Sequence, residues 1–308
     1  MVFPFRRVSF LALVVIAVIG MAVPAAAQEP QTDISFNDTV LRELGYPEIN
    51  IDVSPEGVKA PSTLEAGYYL VTLSASGDYV AYVDFMQPPA GLSQDEATKQ
   101  ALAAARDDLA QAGWVYAGGN NTFEIGVPTS FVIFLAPGDY QIAASYYKME
   151  QGSEEIMRLS PLSVTAGATP AATPIAEPNA DVTLEMTDEL RFHVAPDPIA
   201  AGPQLWKITN TGMHHAHHVV MVRLPEGITA DQIVAEFNGM MAGTPPAGEP
   251  VMAQFTYVGY AALQSGGQTT WVGYDLDPGT YAVLCFIMDG ENGRPHLADG
   301  MATVFTVK

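Results

Sequence analysis

The chain repeats itself, and this restricts its fold more than any other feature. Ala60-Pro61 and Leu64-x-Ala66-Gly67-x-x-Leu70 recur as Ala195-Pro196 and Ile199-x-Ala201-Gly202-x-x-Leu205, at a constant offset of 135. Farther on, Trp114-x-Tyr116-x-Gly118 recurs as Phe255-x-Tyr257-x-Gly259, and Leu135-x-Pro137-Gly138-x-Tyr140 as Leu276-x-Pro278-Gly279-x-Tyr281. Both later matches share an offset of 141. Chance does not hold register across such a stretch, so whatever fold one half takes, the other takes too. Between the halves lies AGATPAATPIAEPNA, residues 166–180, whose Ala, Pro and Thr content reads as an extended linker. The expected division is a polar segment at 28–45, a first domain at 46–165, the linker at 166–180 and a second domain at 181–308.

Each half reads mostly as strand. Tyr69–Leu73, Ser130–Leu135, Gln204–Thr209 and Thr280–Ile287 are rich in β-branched and aromatic residues and are bounded by Gly, Pro, Asn and Asp. Each half also carries one helix at a corresponding place. Ser93-Gln94-Asp95-Glu96 is a capping box that predicts a helix to about Gln111. Thr229-Ala230-Asp231-Gln232 predicts a shorter one ending near Asn238-Gly239. Short, closely spaced strands with one helix between them suit an all-β chain of two Greek-key β-sandwiches.

The N-terminus predicts the compartment. Arg6 and Arg7, an apolar stretch from Phe10 to Val23 and small residues Ala25-Ala26-Ala27 have the order of a cleavable secretory signal, residues 1–27. An extracytoplasmic location, secreted or periplasmic, is expected. No later stretch is long and apolar enough to span a bilayer. The net charge is −21, and losing Arg6 and Arg7 would take it to −23. That acidity argues against nucleic acid and anionic membranes as partners and is compatible with a basic protein partner. Cys285 is the chain's single cysteine, so no internal disulfide can support the fold. An exported lone thiol has to be buried, paired with another chain or bound to something.

Candidate chemistry gathers in two regions of the second half. The first is Asn210-Thr211-Gly212-Met213-His214-His215-Ala216-His217-His218-Val219-Val220-Met221; the second runs from Pro278-Gly279-Thr280-Tyr281 to Cys285, followed by His296 and Met301. Here the chain resembles the cupredoxins, the blue-copper family that includes plastocyanin and azurin. In that family a His before an apolar strand is followed by a Pro-Gly-x-Tyr turn, a strand ending in Cys, a loop, a second His and a Met. The resemblance implies two tandem cupredoxin-like sandwiches, with one copper ion in the second held by His217, Cys285, His296 and Met301. It implies one-electron transfer with a redox partner protein rather than catalysis, with His296 as the edge where electrons pass. Copper chemistry asks for the same set: two imidazoles and a thiolate in a trigonal arrangement with a weak axial thioether. Strand alternation puts His217 and His218 on opposite faces, so only one of them can face the ion.

Two departures from the family stand out. The Cys-to-His interval, FIMDGENGRP, exceeds those of plastocyanin, azurin and nitrite reductase. Leu284 and Phe286 flank Cys285, where multicopper oxidases and nitrite reductases place a His that passes electrons to further copper. The first half lacks the ligands. His217 aligns with Ala81, Cys285 with Ala144, His296 with Glu155 and Met301 with Ser160, and residues 28–180 contain no His or Cys. That domain is expected to be a scaffold or a protein-interaction module. His193 reads as an ordinary strand residue, while His214, His215 and His218 are either a solvated run or a second, weaker metal site. A copper-binding or delivery protein without a redox role is the alternative function, favoured by the histidine run and by Met213, Met221, Met240 and Met241.

Overall fold

The computed structural model describes residues 31–32, 36–104, 106–149, 153–167, 176–244, 246 and 248–308. The expected signal segment and the middle of the linker, 168–175, lie outside the described residues. After a short β1 (Gln31–Thr32), the first half forms β2 (Glu48–Ser54), β3 (Gly57–Lys59), β4 (Thr63–Glu65), β5 (Gly67–Ala75) and β6 (Tyr79–Gln87). It continues with β7 (Val115–Asn121), β8 (Thr129–Leu135), β9 (Gly138–Lys148) and β10 (Ile156–Thr165). The second half forms β11 (Val182–Thr187), β12 (Arg191–Ala195), β13 (Gly202–Asn210) and β14 (His217–Leu224). It ends with β15 (Thr256–Gln264), β16 (Thr269–Leu276), β17 (Gly279–Leu284) and β18 (Ala302–Val307).

Alternation decides which face of each strand goes inward. Ile49, Ile51 and Val53 of β2 and Val182, Leu184 and Met186 of β11 are buried, while the residues between them are exposed. Each half is a two-layer β-sandwich, and the two halves share one strand order apart from the short edge strand β4. The layers are β3-β2-β5-β8 and β7-β6-β9-β10-β4 in the first, β12-β11-β13-β16 and β15-β14-β17-β18 in the second. In both, the chain crosses from one layer to the other after β5 or β13 and returns at β8 or β16, as a Greek key requires. The register corresponds as well: Asp84 pairs with Ala143 as Val220 pairs with Leu284, at offsets of 136 and 141, the first one residue longer than the sequence offset of 135 and the second equal to the later one.

The halves are not beads on a string. β15 pairs with β7 at Gln264–Ala117, and β16 pairs with β8 at Thr270–Ile133 and Trp271–Val132. The layers thereby join into one ten-stranded and one eight-stranded sheet among the described residues. Gly118, at φ +116, permits the close approach, because a Cβ there would sit 2.3 Å from the Thr270 methyl. The polar N-terminal segment is drawn into this seam. β1 pairs in parallel with the start of β15, Phe36 stacks on Tyr274 at 5.5 Å, and the Asn37 amide donates to Gly273 O at 2.8 Å. Helix α1 (Asp38–Arg42), capped by Asn37, then buries Leu41 among Leu70, Val132, Leu205 and Trp271, which come from both halves.

The remaining helices differ from expectation at their ends. The first-half helix is broken into α2 (Gln94–Ala103), with its Ser93–Glu96 capping box, and α3 (Arg106–Gln111). Ala97 and Ala101 face the core, and a straight continuation would carry Asp108 inward, seven residues on. The extended backbone at Ala104 re-aims the chain so that Leu109 is buried instead. Helix α4 (Ala230–Met241) runs past Gly239 and stops before Gly243, at φ +71. It covers the outer face of the ten-stranded sheet with Ile233 and Phe237. Among the described residues, no helix is long and apolar enough to cross a membrane.

Candidate metal centre

β17 was expected to run to Ile287 but ends at Leu284, because the next three residues turn their backbone toward the loop that follows. Cys285 N–H donates to Met301 O (3.3 Å), Leu297 N–H to Cys285 O, His296 N–H to Ile287 O (both 2.8 Å) and Met301 N–H to His296 O (2.9 Å). These bonds clamp Cys285, His296 and Met301 into one small ring of backbone. The single-turn helix His296–Asp299 follows Pro295, and Gly300 at φ +99 turns the chain into β18. The long interval between Cys285 and His296 folds on itself: Met288 and Pro295 form a bridge, Asp289 N–H donates to Arg294 O, and the Asp289 carboxylate accepts from the Glu291 amide. Its extra length becomes a closed hairpin beside the ligand ring.

His217 reaches the ring from β14. Its Nδ1 lies 3.0 Å from His296 Nδ1 and 4.0 Å from Cys285 Sγ, while His296 Nδ1 lies 3.5 Å from the same sulfur. Cys285 and Met301 share one core cluster, and both are fully buried. Three donor atoms converge with no counter-charge among them, and burial keeps each donor neutral. Burial, then the nearby His296 and His215, lowers His217 to about 3; burial, then His215, lowers His296 to about 4. Burial pushes the Cys285 thiol up to about 12. Neutral imidazoles are ligands as they stand, and a bound cation would reverse the thiol's preference and deprotonate it. Two imidazole nitrogens, a thiol and an adjacent thioether fit copper by donor softness, as a type 1 centre does.

His218 does point away from this group. It is fully buried between Tyr260 and Phe286, at ring distances of 5.7 and 6.3 Å, and its Nε2 accepts from the Phe286 amide at 2.9 Å. Strand β14 slips register against β15 between His217 and Val219, which lets both rings be buried on opposite sides. The histidine run is therefore not a solvated loop. Only His214 is exposed; His215 is half-buried, its ring 5.5 Å from that of His296. His193 is exposed on β12, as an ordinary strand residue would be.

His296, expected as the edge where electrons pass, is 1% accessible. His215 packs edge-on against it, and α3 of the first half packs against the Cys-to-His loop. The Met288 amide donates to Asp107 Oδ2 at 3.3 Å, and Gly290 lies so close to Gln111 that a Cβ would meet its amide at 2.3 Å. Two residues outside the ligand set position the loop before His217. Asp188 accepts from the Met213, His214 and His215 amides at 2.8, 2.9 and 3.2 Å, and buried Asn210 donates to His215 O and Gln264 O. Both hold the loop leading into His217; Asn210 opens the first candidate region of the sequence, whereas Asp188 lies outside both regions.

In the first half the corresponding place is filled by hydrocarbon and a ring. Ala81 and Ala144 are fully buried, and Tyr146, paired across the strands from Ala81, is also buried. Cross-strand partners share a face, so the tyrosine occupies space beside the two alanines.

No protein-family model and no curated protein matches the chain. Among solved structures it is similar to dithionite-reduced auracyanin from the photosynthetic bacterium Roseiflexus castenholzii, at 22% identity over 41% of this chain and 94% of that one, TM-score 0.28. It is also similar to auracyanin A, a "blue" copper protein from Chloroflexus aurantiacus, at 21% identity over 41% and 98%, TM-score 0.27. A multicopper oxidase aligns over 85% of this chain and 88% of its own, at 12% identity and TM-score 0.23. Scores this low carry no weight for function.

Proposed function

We propose that the protein is an exported type 1 copper protein that carries single electrons through one ion held by His217, Cys285, His296 and Met301. The observation that supports this most directly is the convergence of two imidazole nitrogens and one thiol within 4.0 Å, with Met301 tied to the same ring of backbone. Copper in such a set alternates between Cu(I) and Cu(II), accepting and releasing one electron. The chain's own part is to hold the donors rigidly, so that little rearranges between oxidation states, and to exclude water. Cys285 lacks a His neighbour and the first half lacks ligands, which favours a carrier over an oxidase. The shared strand order and register favour an internal duplication in which the first half lost, or never had, the site. An acidic chain of net charge −21 suits a basic redox partner.

Copper-loaded protein should show an intense thiolate-to-Cu(II) charge-transfer band in the visible spectrum, and Cys285→Ser should abolish it. A Cu(II)-loaded wild type without that band would sink the assignment. The competing reading, copper delivery, predicts rapid loss of the ion to a chelator; a carrier keeps it through repeated oxidation and reduction. Ligands buried to 1% or less favour retention.

A further inference from the structure

The four inner ligands are between 0 and 1% accessible, so a hydrated ion from solvent cannot meet them directly. One of them, His296, also lines a cleft of about 580 Å³ together with Asp107, Met213, His214, His215 and Glu291. Among the described residues two groups bring three metal-binding atoms within 4.8 Å of one another. One is His217, Cys285 and His296; the other is His215, Asp289 and His296. The two groups share His296. The outer group opens on the cleft, because His215 is only half-buried and lines it. Its members are held in place: His215 has its backbone bonded on both sides, by Asp188 and by Asn210. Asp289 is fixed by the amides of its own hairpin.

We propose that His215, Asp289 and His296 form an outer cation site that takes copper from solvent and passes it inward through the ligand they share. This rests on the copper reading above. Taking a bare divalent ion from water into a buried site in one step is costly, because its hydration is lost before its ligands are gained. An outer set of two imidazoles and a carboxylate replaces part of the water first. Because His296 belongs to both groups, an incoming ion would exchange His215 and Asp289 for His217 and Cys285 without losing all its ligands at once. The Cys285 proton would be released to solvent through the cleft. The carboxylate and imidazole set suits the incoming Cu(II), whereas the inner sulfurs also suit Cu(I). Because His296 is common, the outer group is a waypoint and adds no second copper at equilibrium.

The test is the rate of loading. Metal-free, full-length mature protein is mixed with excess Cu(II), and growth of the charge-transfer band is followed by stopped flow. In wild type the rate should level off as copper is raised, because the outer site saturates. His215→Ala should load about tenfold or more slowly, with a rate linear in copper, and reach the same final band. Asp289→Asn should act in the same direction, and His193→Ala, on an exposed strand position, should load like wild type. Loading of His215→Ala at the wild-type rate and copper dependence would overturn the proposal. So would a lost or altered final band in that variant, which would make His215 an inner ligand or a structural residue. A wild type that never develops the band refutes the copper reading itself and takes this proposal with it.

Discussion

Adjacent histidines in β14 do opposite things, and the difference is testable. His217 presents Nδ1 to Cys285 and His296, whereas His218 accepts the Phe286 amide on the other face. His217→Ala should abolish the charge-transfer band. His218→Ala should keep the band but leave a buried amide without a partner and a cavity beside Tyr260, costing about 2 kcal/mol in a denaturant titration. The reverse pattern would mean that the two roles are exchanged. Asp188 acts on the same loop from outside the ligand set. Burial raises its carboxyl, but three backbone donors outweigh that and hold it below its ordinary 3.8. A depressed carboxyl stabilises the fold fully above the unfolded value and loses that contribution as pH falls through the folded one. Asp188→Asn should therefore flatten the loss of thermal stability below about pH 4. An unchanged acid profile would remove Asp188 from the loop's support.

Among the elements, the junction strands place the strictest demands on side-chain size. Gly118 on β7 combines a left-handed φ of +116 with a Cβ position 2.3 Å from Thr270 of β16. Gly118→Ala should cost about 2 kcal/mol or more, from backbone strain and overpacking together, and should show as a lowered melting temperature. A variant as stable as wild type would mean that the two strands are free to separate there. The metal loop shows how an element absorbs unusual length. The ten residues between Cys285 and His296 form a closed hairpin anchored at Met288–Pro295. The ligand ring can therefore keep the compact spacing of the backbone bonds that close it.

For the whole molecule, α1 and the strand before it matter out of proportion to their length. Leu41 packs among Leu70, Val132, Leu205 and Trp271, so one side chain bridges the eight-stranded sheet across the seam. Leu41→Ala should destabilise the chain by about 2–4 kcal/mol, and calorimetry should show the two halves beginning to melt apart. A single, unshifted transition would show that the seam is held without the helix. Rings also cross the seam on the other sheet: His218 meets Tyr260, Tyr260 meets Tyr82 at 5.6 Å, and Tyr82 stacks on Tyr147 at 5.8 Å. The first half thus contributes to the surroundings of the site through α3 and through these tyrosines, although it offers no ligand.

Much of this was legible in the residues themselves, for a local reason. β-branched and aromatic runs, capping boxes and Pro-Gly turns are short-range consequences of backbone sterics, so β5, β8, β13, most of β17 and the starts of α2 and α4 could be read directly. The offsets of 135 and 141 made the shared topology legible, and the order of His217, Cys285, His296 and Met301 survived because each stands at a strand end or turn. Other features depend on residues far apart in sequence. The seam between β7 and β15, the helix at 38–42, the break at Ala104 and the support from Asp188 follow from which surfaces meet. The burial of His296 was decided in the same way. His215, the folded Cys-to-His hairpin and α3 of the other half converge on it from three parts of the chain, and no local pattern around residue 296 records that they do.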